Sequence, residues 1–474
     1  MGKAGNDKYS MSEPTHHLWL EHAYLPGGWH QAVRLSIDQV GVIKAITQGP
    51  AQKIDKRVYG AVIPGVPNIH SHAFQRAIAG LTEHRHTYQR DSFWSWREVM
   101  HAFVTRLDPD QYEAIARFVY MEMLKAGYTT VGEFHYLHLT PNGQSYADIT
   151  EMSGRALAAA RETGIGISLL PVMYSRGGYT GEAPNSGQRR CILKPDTFLV
   201  LVDRLYARVR RDHWGRVGIA PHSIRQVSPD TLNAVLVGIK DIDTSMPIHI
   251  HAAEQLKDVD DHILKTGNRP IRWLLDNTDM NNQWCVVHAT HINSLEIIDL
   301  AACGAVAGLC PTTEANLGDG LFPLEDYIKA DGNWGIGSDS HVSIDPKEEL
   351  RWLEYGQRLA TLSRNVTATE RGGSTGRQLF DFATKGGAQG LGQRIGQLTE
   401  GYRADLIVMD PEHPALLAKP MSILFDSWIF SASTSPILDV MAAGKWVVLN
   451  GRHRDEMSIK TSYKKVLKTL IEDI

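Results

Sequence analysis

Two histidine clusters and a distant aspartate are the residues of this sequence best suited to chemistry. His70 and His72 flank Ser71 in Asn68-Ile69-His70-Ser71-His72. A second group, His249-Ile250-His251-Ala252-Ala253-Glu254, places two histidines two residues apart and a glutamate three residues beyond the second. His288 falls near the end of QWCVVHAT (283–290), and Asp339 stands in Gly335-Ile336-Gly337-Ser338-Asp339-Ser340-His341. Residues two apart on a strand point to the same side, so each histidine pair can present both imidazoles to one point. Imidazole and carboxylate together suit a divalent cation. Any of them left free can move protons. The chain has 21 histidines and four cysteines, so a metal site here is built from nitrogen and oxygen donors.

Such a site needs strand ends that converge. Eight runs rich in Val, Ile and Ala read as strands: 61–70, 129–137, 164–174, 216–223, 246–254, 283–290, 304–311 and 333–340. They are short apolar stretches without strict alternation, as expected of parallel strands covered on both faces. Helices lie between them. Asp108-Pro109 is an N-cap followed by proline at the first helical position, and Gly127 supplies the stop. Ile115, Phe118, Val119 and Met123 mark that helix's apolar face, and Asn293 with Glu296 forms a capping box. Eight strand–helix units over residues 61–389 predict an α/β fold, a (β/α)₈ barrel, with a doubly wound sheet as the alternative. In such a barrel function sits at the C-terminal strand ends, where His70, His72, His251, Glu254, His288 and Asp339 all fall.

The ends of the chain read differently. Residues 17–49, 401–410 and 437–453 show short alternating stretches with Gly and Pro turns. Residues 13–60 and 390–453 are therefore expected to build one small β-sandwich, with a peripheral helix at 454–474. Residues 1–12 are polar, lack the core of a signal peptide and read as a disordered tail.

Composition narrows the classes further. The formal charge is −4, with 43% hydrophobic and 22% charged residues. Nothing in that balance favours nucleic acid or an anionic membrane as partner. No apolar run approaches the ~18 residues that span a bilayer. Cys191, Cys285, Cys303 and Cys310 form no CxxC pair, which fits a reducing cytoplasm rather than a disulfide framework.

Taken in order, NIHSH, HIHAAE, VVHAT and GSDSH, with the terminal β unit, resemble the amidohydrolase superfamily over nearly the whole chain. The resemblance implies that His70, His72, His251 and Asp339 hold one divalent metal per chain, Zn²⁺ by donor type, with iron the alternative. His249 competes with His251 on the same strand, and the family's H-x-x-E pattern selects His251. Binuclear members carry a lysine near the end of strand four; this chain has IAPHSIRQ there, which implies a mononuclear site. The implied chemistry is hydrolytic attack on a trigonal carbon, with Asp339 taking the proton of water. Glu254 serves as general acid/base toward nitrogen, and His288 polarises the tetrahedral centre. H-x-x-E is typical of the superfamily's deaminase branch.

NIHSHAFQRAIAG, DSFWSWREVM, VGEFHYLH and APHSIRQV resemble the superfamily's deiminases of N-formimidoyl-L-glutamate, an intermediate of histidine degradation. By that resemblance Gln75, Arg97, Tyr136, His222 and Arg225 bind the substrate, a small dicarboxylate, and the assembly is a homodimer. The chemistry agrees, because planar guanidinium groups bind carboxylates bidentately. The alternative is a deaminase of a nucleoside or other heterocycle, which would want aromatic faces and amide donors around a ring. Trp94 and Trp96 read as packing residues, Glu83-His84-Arg85-His86 as a loop over the site, and His135 and His138 as outer neighbours of it.

Overall fold

A computed structural model describes residues 16–84, 91–212, 214–369 and 372–472. The expected tail at 1–12, together with Arg85 and His86, lies outside the described residues. In chain order the strands begin with β1 (His16–Leu25), β2 (Gly28–Ile37), β3 (Ile43–Gln48), β4 (Asp55–Pro64) and β5 (Val66–Ser71). There follow β6 (Tyr128–His135), β7 (Gly166–Met173), β8 (Gly215–Val217) and β9 (Ala220–Pro221). Next come β10 (Ile248–Ala252), β11 (Trp284–His288), β12 (Val306–Leu309) and β13 (Asn333–Ile336). The chain ends with β14 (Leu406–Met409), β15 (Ile437–Ala442), β16 (Lys445–Leu449) and β17 (Arg452–His453).

Two parallel sheets carry the centre of the molecule. One runs β5-β6-β7-β8 with β9 on β7, the other β10-β11-β12-β13. Their edges meet twice through isolated parallel bridges, Ser71 with Asp339 and Ile219 with Ile248. Every residue of β5, β6, β7, β10, β11 and β12 is buried, which accounts for their lack of apolar alternation. Ile69, Val287, Val306, Leu391 and Ile395 cluster between the strands. Ile69 precedes His70, and Val287 precedes His288. The polar strand ends therefore stand next to a dry apolar plug, each of whose side chains contributes roughly 1.5–3 kcal/mol by burial.

The two chain ends do meet, as expected, but in a single sheet of order β17-β16-β15-β14-β4-β1-β2-β3. The joining pair is β4 with β14, antiparallel, Pro64 opposite Leu406. The run expected as one strand at 61–70 is consequently two. Residues 61–64 finish β4 in the terminal sheet, and β5 begins after Gly65. A side chain at Gly65 would sit 2.2 Å from Thr129 Oγ1, so glycine permits the close crossing from one sheet to the other. Gly218 similarly interrupts the strand expected at 216–223, where a Cβ would lie 2.5 Å from the Pro247 carbonyl oxygen.

Helix ends follow the sequence signals. The Asp108 carboxylate accepts from Gln111 N–H at 2.7 Å, and the Pro109–Ala126 helix closes on Gly127 at φ +99°. Ile115, Val119 and Met123 are buried. Phe118 instead stacks on Tyr463 of the Glu456–Ile471 helix, with ring centroids 3.9 Å apart. The Thr375–Gly390 helix lies across β13 and β5 on a glycine face. A Cβ at Gly386 would stand 1.8 Å from the Trp334 carbonyl oxygen. In most helices glycine-to-alanine stabilises by ~0.5–1 kcal/mol. Here Gly386→Ala is expected to destabilise by about 1–3 kcal/mol through overpacking, checked by the shift of the urea unfolding midpoint; a stabilised variant would contradict this packing.

Candidate metal centre

Four donors from three strand ends converge. His70 Nε2 lies 3.2 Å from His72 Nε2 and 3.1 Å from His251 Nε2. Asp339 Oδ1 is 3.5 Å from His70 Nε2 and 3.4 Å from His72 Nε2. Around a tetrahedral zinc with bonds of about 2.0–2.1 Å, neighbouring ligand atoms are separated by about 3.3 Å. The His70–His72, His70–His251, Asp339–His70 and Asp339–His72 separations lie near that value, and the three histidine nitrogens all fall within 4.8 Å of one another. Tautomers match as well. His72 Nδ1 faces the Phe134 carbonyl oxygen at 3.0 Å and His251 Nδ1 that of His222 at 3.1 Å. A carbonyl only accepts, so each Nδ1 carries the proton and each Nε2 offers its lone pair inward. Burial pushes all three imidazoles well below their ordinary range, His72 to about 3. His70 Nδ1 has no hydrogen-bond partner, so its proton can sit on either ring nitrogen; with Nε2 bare, three nitrogen lone pairs face one another at 3.1–3.2 Å around His70, as a bound cation requires.

The competing histidine is placed elsewhere. His249 Nε2 accepts no part in this cluster and meets the Gly390 carbonyl oxygen at 2.7 Å. His135 and His138 likewise pair with Tyr112 and the Val172 carbonyl, away from the four donors. Cys310 lies near His288 and Asp339. Burial and the neighbouring carboxylates push its thiol well above its usual range, which disfavours the thiolate a metal would need.

Beside the donors stand the groups that can move protons. His288 Nε2 is 3.7 Å from both Glu254 Oε1 and Asp339 Oδ2, while its Nδ1 is 3.2 Å from Glu314 Oε1. Burial opposes a charge on His288, yet Glu254, Glu314 and Asp339 outweigh it and lift the imidazole to about 10. Burial raises Glu254, and it raises Asp339 to about 7 against the pull of His288. Asp319, whose side chain accepts from Gln255 Nε2, is raised to about 9 by burial and by Glu254. Glu314 and Asp319 escaped the sequence reading. Glu314 follows β12 as Glu254 follows β10, and the strand-end argument applied to PTTEAN would have found it.

Backbone strain gathers here too. Ala253, His288, Ala289, Asp339 and His341 all have φ between +43° and +69°, a region non-glycine residues seldom adopt. Such strain persists where surrounding structure enforces it, commonly at functional sites.

One cavity is lined by His72, His251, Asp339, Glu254 and His288 together with Gln75, Arg97, Tyr136, His222 and Arg225. Gln75 Nε2 donates to Tyr136 OH at 3.2 Å, and Arg97 Nη2 to Tyr174 OH at 2.9 Å. Arg97 has no carboxylate partner among the described residues. Arg225, expected to bind substrate, is ion-paired through Nη1 with Asp258, and its Nε donates to Gln226 Oε1 at 3.0 Å. Trp94, expected as packing, has the guanidinium carbons of Arg97 and Arg225 at 5.8 and 5.4 Å from its ring. Trp96 lines the cavity itself. Asn316 Nδ2 donates to Glu83 Oε1 at 2.8 Å, which ties one end of the expected covering loop to the helix after β12. All four cysteines are free, and no described helix is long and apolar enough to cross a membrane.

Comparison with known proteins gives the family. Residues 61–447 match the model of the amidohydrolase family. The chain is 47% identical over 455 residues, 96% of its length and 99% of the relative's, to formimidoylglutamate deiminase of Pseudomonas aeruginosa. The crystal structure of an amidohydrolase from Brucella melitensis superposes with a TM-score of 0.90 at 43% identity, covering 96% of this chain and all of that one. A zinc-bound adenosine deaminase from Xanthomonas campestris shares the fold at a TM-score of 0.78 and 20% identity, over 97% and 99% of the two chains.

Metal analysis of the purified protein is expected to give one equivalent per chain. His251→Ala should lose it and His249→Ala should keep it, as read by inductively coupled plasma spectrometry on folded protein. Two equivalents with activity tracking both, or equal loss in the two variants, would contradict the assignment.

Proposed function

The chain belongs to the amidohydrolase family, and from that premise we propose that it hydrolyses N-formimidoyl-L-glutamate to N-formyl-L-glutamate and ammonia. The observation carrying this reading is a single cavity lined both by the carboxylates Glu254 and Asp339, which can move protons at the formimidoyl group, and by the guanidiniums of Arg97 and Arg225, suited to two carboxylates. The two parallel sheets read as one closed (β/α)₈ barrel, its seams marked by the Ser71–Asp339 and Ile219–Ile248 bridges. We take 61–389 as the catalytic barrel and the terminal strands as a small β domain beside it.

His70, His72, His251 and Asp339 fit one divalent ion, zinc by donor type. Bound there, it supplies Lewis acidity and lowers the pKa of water from 15.7 to about 7. The chain's own groups do the rest. Arg97 and the unpartnered Nη2 of Arg225 hold the carboxylates, with Asp258 fixing the Arg225 fork in place. Asp339 takes a proton as the water oxygen bonds to the formimidoyl carbon. His288, cationic and anchored through Nδ1 by Glu314, donates from Nε2 to the oxygen as charge develops there. Glu254 relays to the terminal nitrogen both the proton that Asp339 takes and the second water proton, released as the formyl carbonyl forms, so both water protons end on the leaving nitrogen. The carbon–nitrogen bond breaks, its electron pair leaves with ammonia, and the carbonyl of the formyl product forms. Substrate plus water equals product plus ammonia.

Glu254→Gln should keep the metal and lose ~10²- to 10⁴-fold in kcat, measured by ammonia release from metal-replete protein; near-normal turnover removes Glu254 from the scheme. Arg97→Lys and Arg225→Lys, which keep charge but lose the fork, should each lower kcat/KM ten- to a hundredfold, about 1.5–3 kcal/mol. A substrate panel tests the whole reading: N-formimidoyl-L-glutamate should exceed N-formimidoyl-L-aspartate, adenosine and guanine. Faster ammonia release from a ring substrate would overturn it.

A further inference from the structure

Behind the four donors runs a buried chain of side chains that the proposed reaction does not use. Asn68 Nδ2 lies 2.6 Å from Ser338 Oγ, Ser338 Oγ 3.0 Å from His341 Nδ1, His341 Nε2 3.0 Å from Ser71 Oγ, and Ser71 Oγ 2.7 Å from Glu133 Oε2. All five residues are at most 1% exposed. The chain has a direction that can be worked out from its ends. Glu133 also accepts from Ala73 N–H at 3.0 Å and Tyr112 OH at 3.1 Å, so donors converge on it and the Ser71 hydroxyl proton points to it. Ser71 oxygen must then accept from His341 Nε2–H. His341 Nδ1 is consequently bare and accepts the Ser338 hydroxyl, whose oxygen accepts from Asn68. The far end is fixed as well, because Asn68 Oδ1 takes Ser338 N–H at 3.1 Å. Each link orients the next, and aligned links polarise one another.

The location of this chain decides its use. Ser71 lies between the ligands His70 and His72, and Asp339 lies between Ser338 and His341. Their backbones touch through only two hydrogen bonds, Asp339 N–H to His70 O at 3.0 Å and His72 N–H to Asp339 O at 3.1 Å. This is also where one parallel sheet meets the other by a single bridge, and where Asp339 and His341 hold φ of +43° and +60°. We propose that His341 is a positioning residue for the metal: through Ser71 and Ser338 it clamps the two ligand-bearing sheet edges at the donor spacing a metal requires. The inference rests on the metal reading of the site. It says nothing of contact with substrate, and His341 touches none of the four donor atoms.

The test is zinc affinity by chelator competition on folded apoprotein, with circular dichroism as the check on folding. Wild type should bind one zinc; absence of binding there would refute the metal reading itself. Given wild-type binding, His341→Ala and Ser71→Ala should each raise the zinc Kd about 10- to 100-fold, the range for partners that orient ligands. The double variant should be no worse than the poorer single one, because both cut one chain. His341→Gln, whose amide offers one acceptor and one donor, should recover most of the affinity. Unchanged zinc affinity in folded Ser71→Ala and His341→Ala, or full additivity, would overturn the proposal. If His341→Ala fails to fold, Ser71→Ala and His341→Gln decide it, since each removes or replaces one link with little change in volume.

Discussion

Three buried imidazole nitrogens gathered around His70, with a carboxylate oxygen 3.4–3.5 Å from His70 and His72, are the constraint from which the rest of this structure follows. Burial denies these groups water, and a cation among them would satisfy every inward lone pair at once, in a geometry that rigid elements impose. Strand ends provide that rigidity. Ile69 and Val287, neighbours of His70 and His288, are locked in an apolar cluster, so the polar tips cannot drift apart.

The same economy explains the second ring of contacts. His72 and His251 are orientated by backbone carbonyls from β6 and from the segment after β9, so adjacent elements set each other's tautomers. Glu254, Glu314 and Asp339 around His288 favour its protonated form against burial. Arg225 is steadied by Asp258.

Much of this was legible in the sequence because metal ligands at strand ends are local patterns. HxH and HxHxxE give both the residue type and its side of the strand; His251 lies in the histidine cluster, and His249 meets the Gly390 carbonyl. What escaped was set by distant contacts. The split of the first strand at Gly65 depends on Thr129, some sixty residues away, and the glycine face at Gly386 depends on Trp334. Neither neighbour is visible from local periodicity. The pairing of Arg225 with Asp258 and of His288 with Glu314 likewise joins segments whose adjacency exists only in the folded chain. The two chain ends did advertise β structure, but alternation cannot distinguish strands of one sheet from strands of two facing sheets.

The central claim is that one cavity seats a metal at its inner end and a dicarboxylate at its outer end. Anomalous diffraction at the zinc edge, from crystals of the zinc-loaded protein soaked with N-formyl-L-glutamate, reads both ends at once. The account expects one peak about 2.0–2.1 Å from Nε2 of His70, His72 and His251 and bonded to Asp339, with the product's two carboxylates on Arg97 and Arg225. A peak elsewhere, or a product bound with its carboxylates away from both arginines, would contradict it.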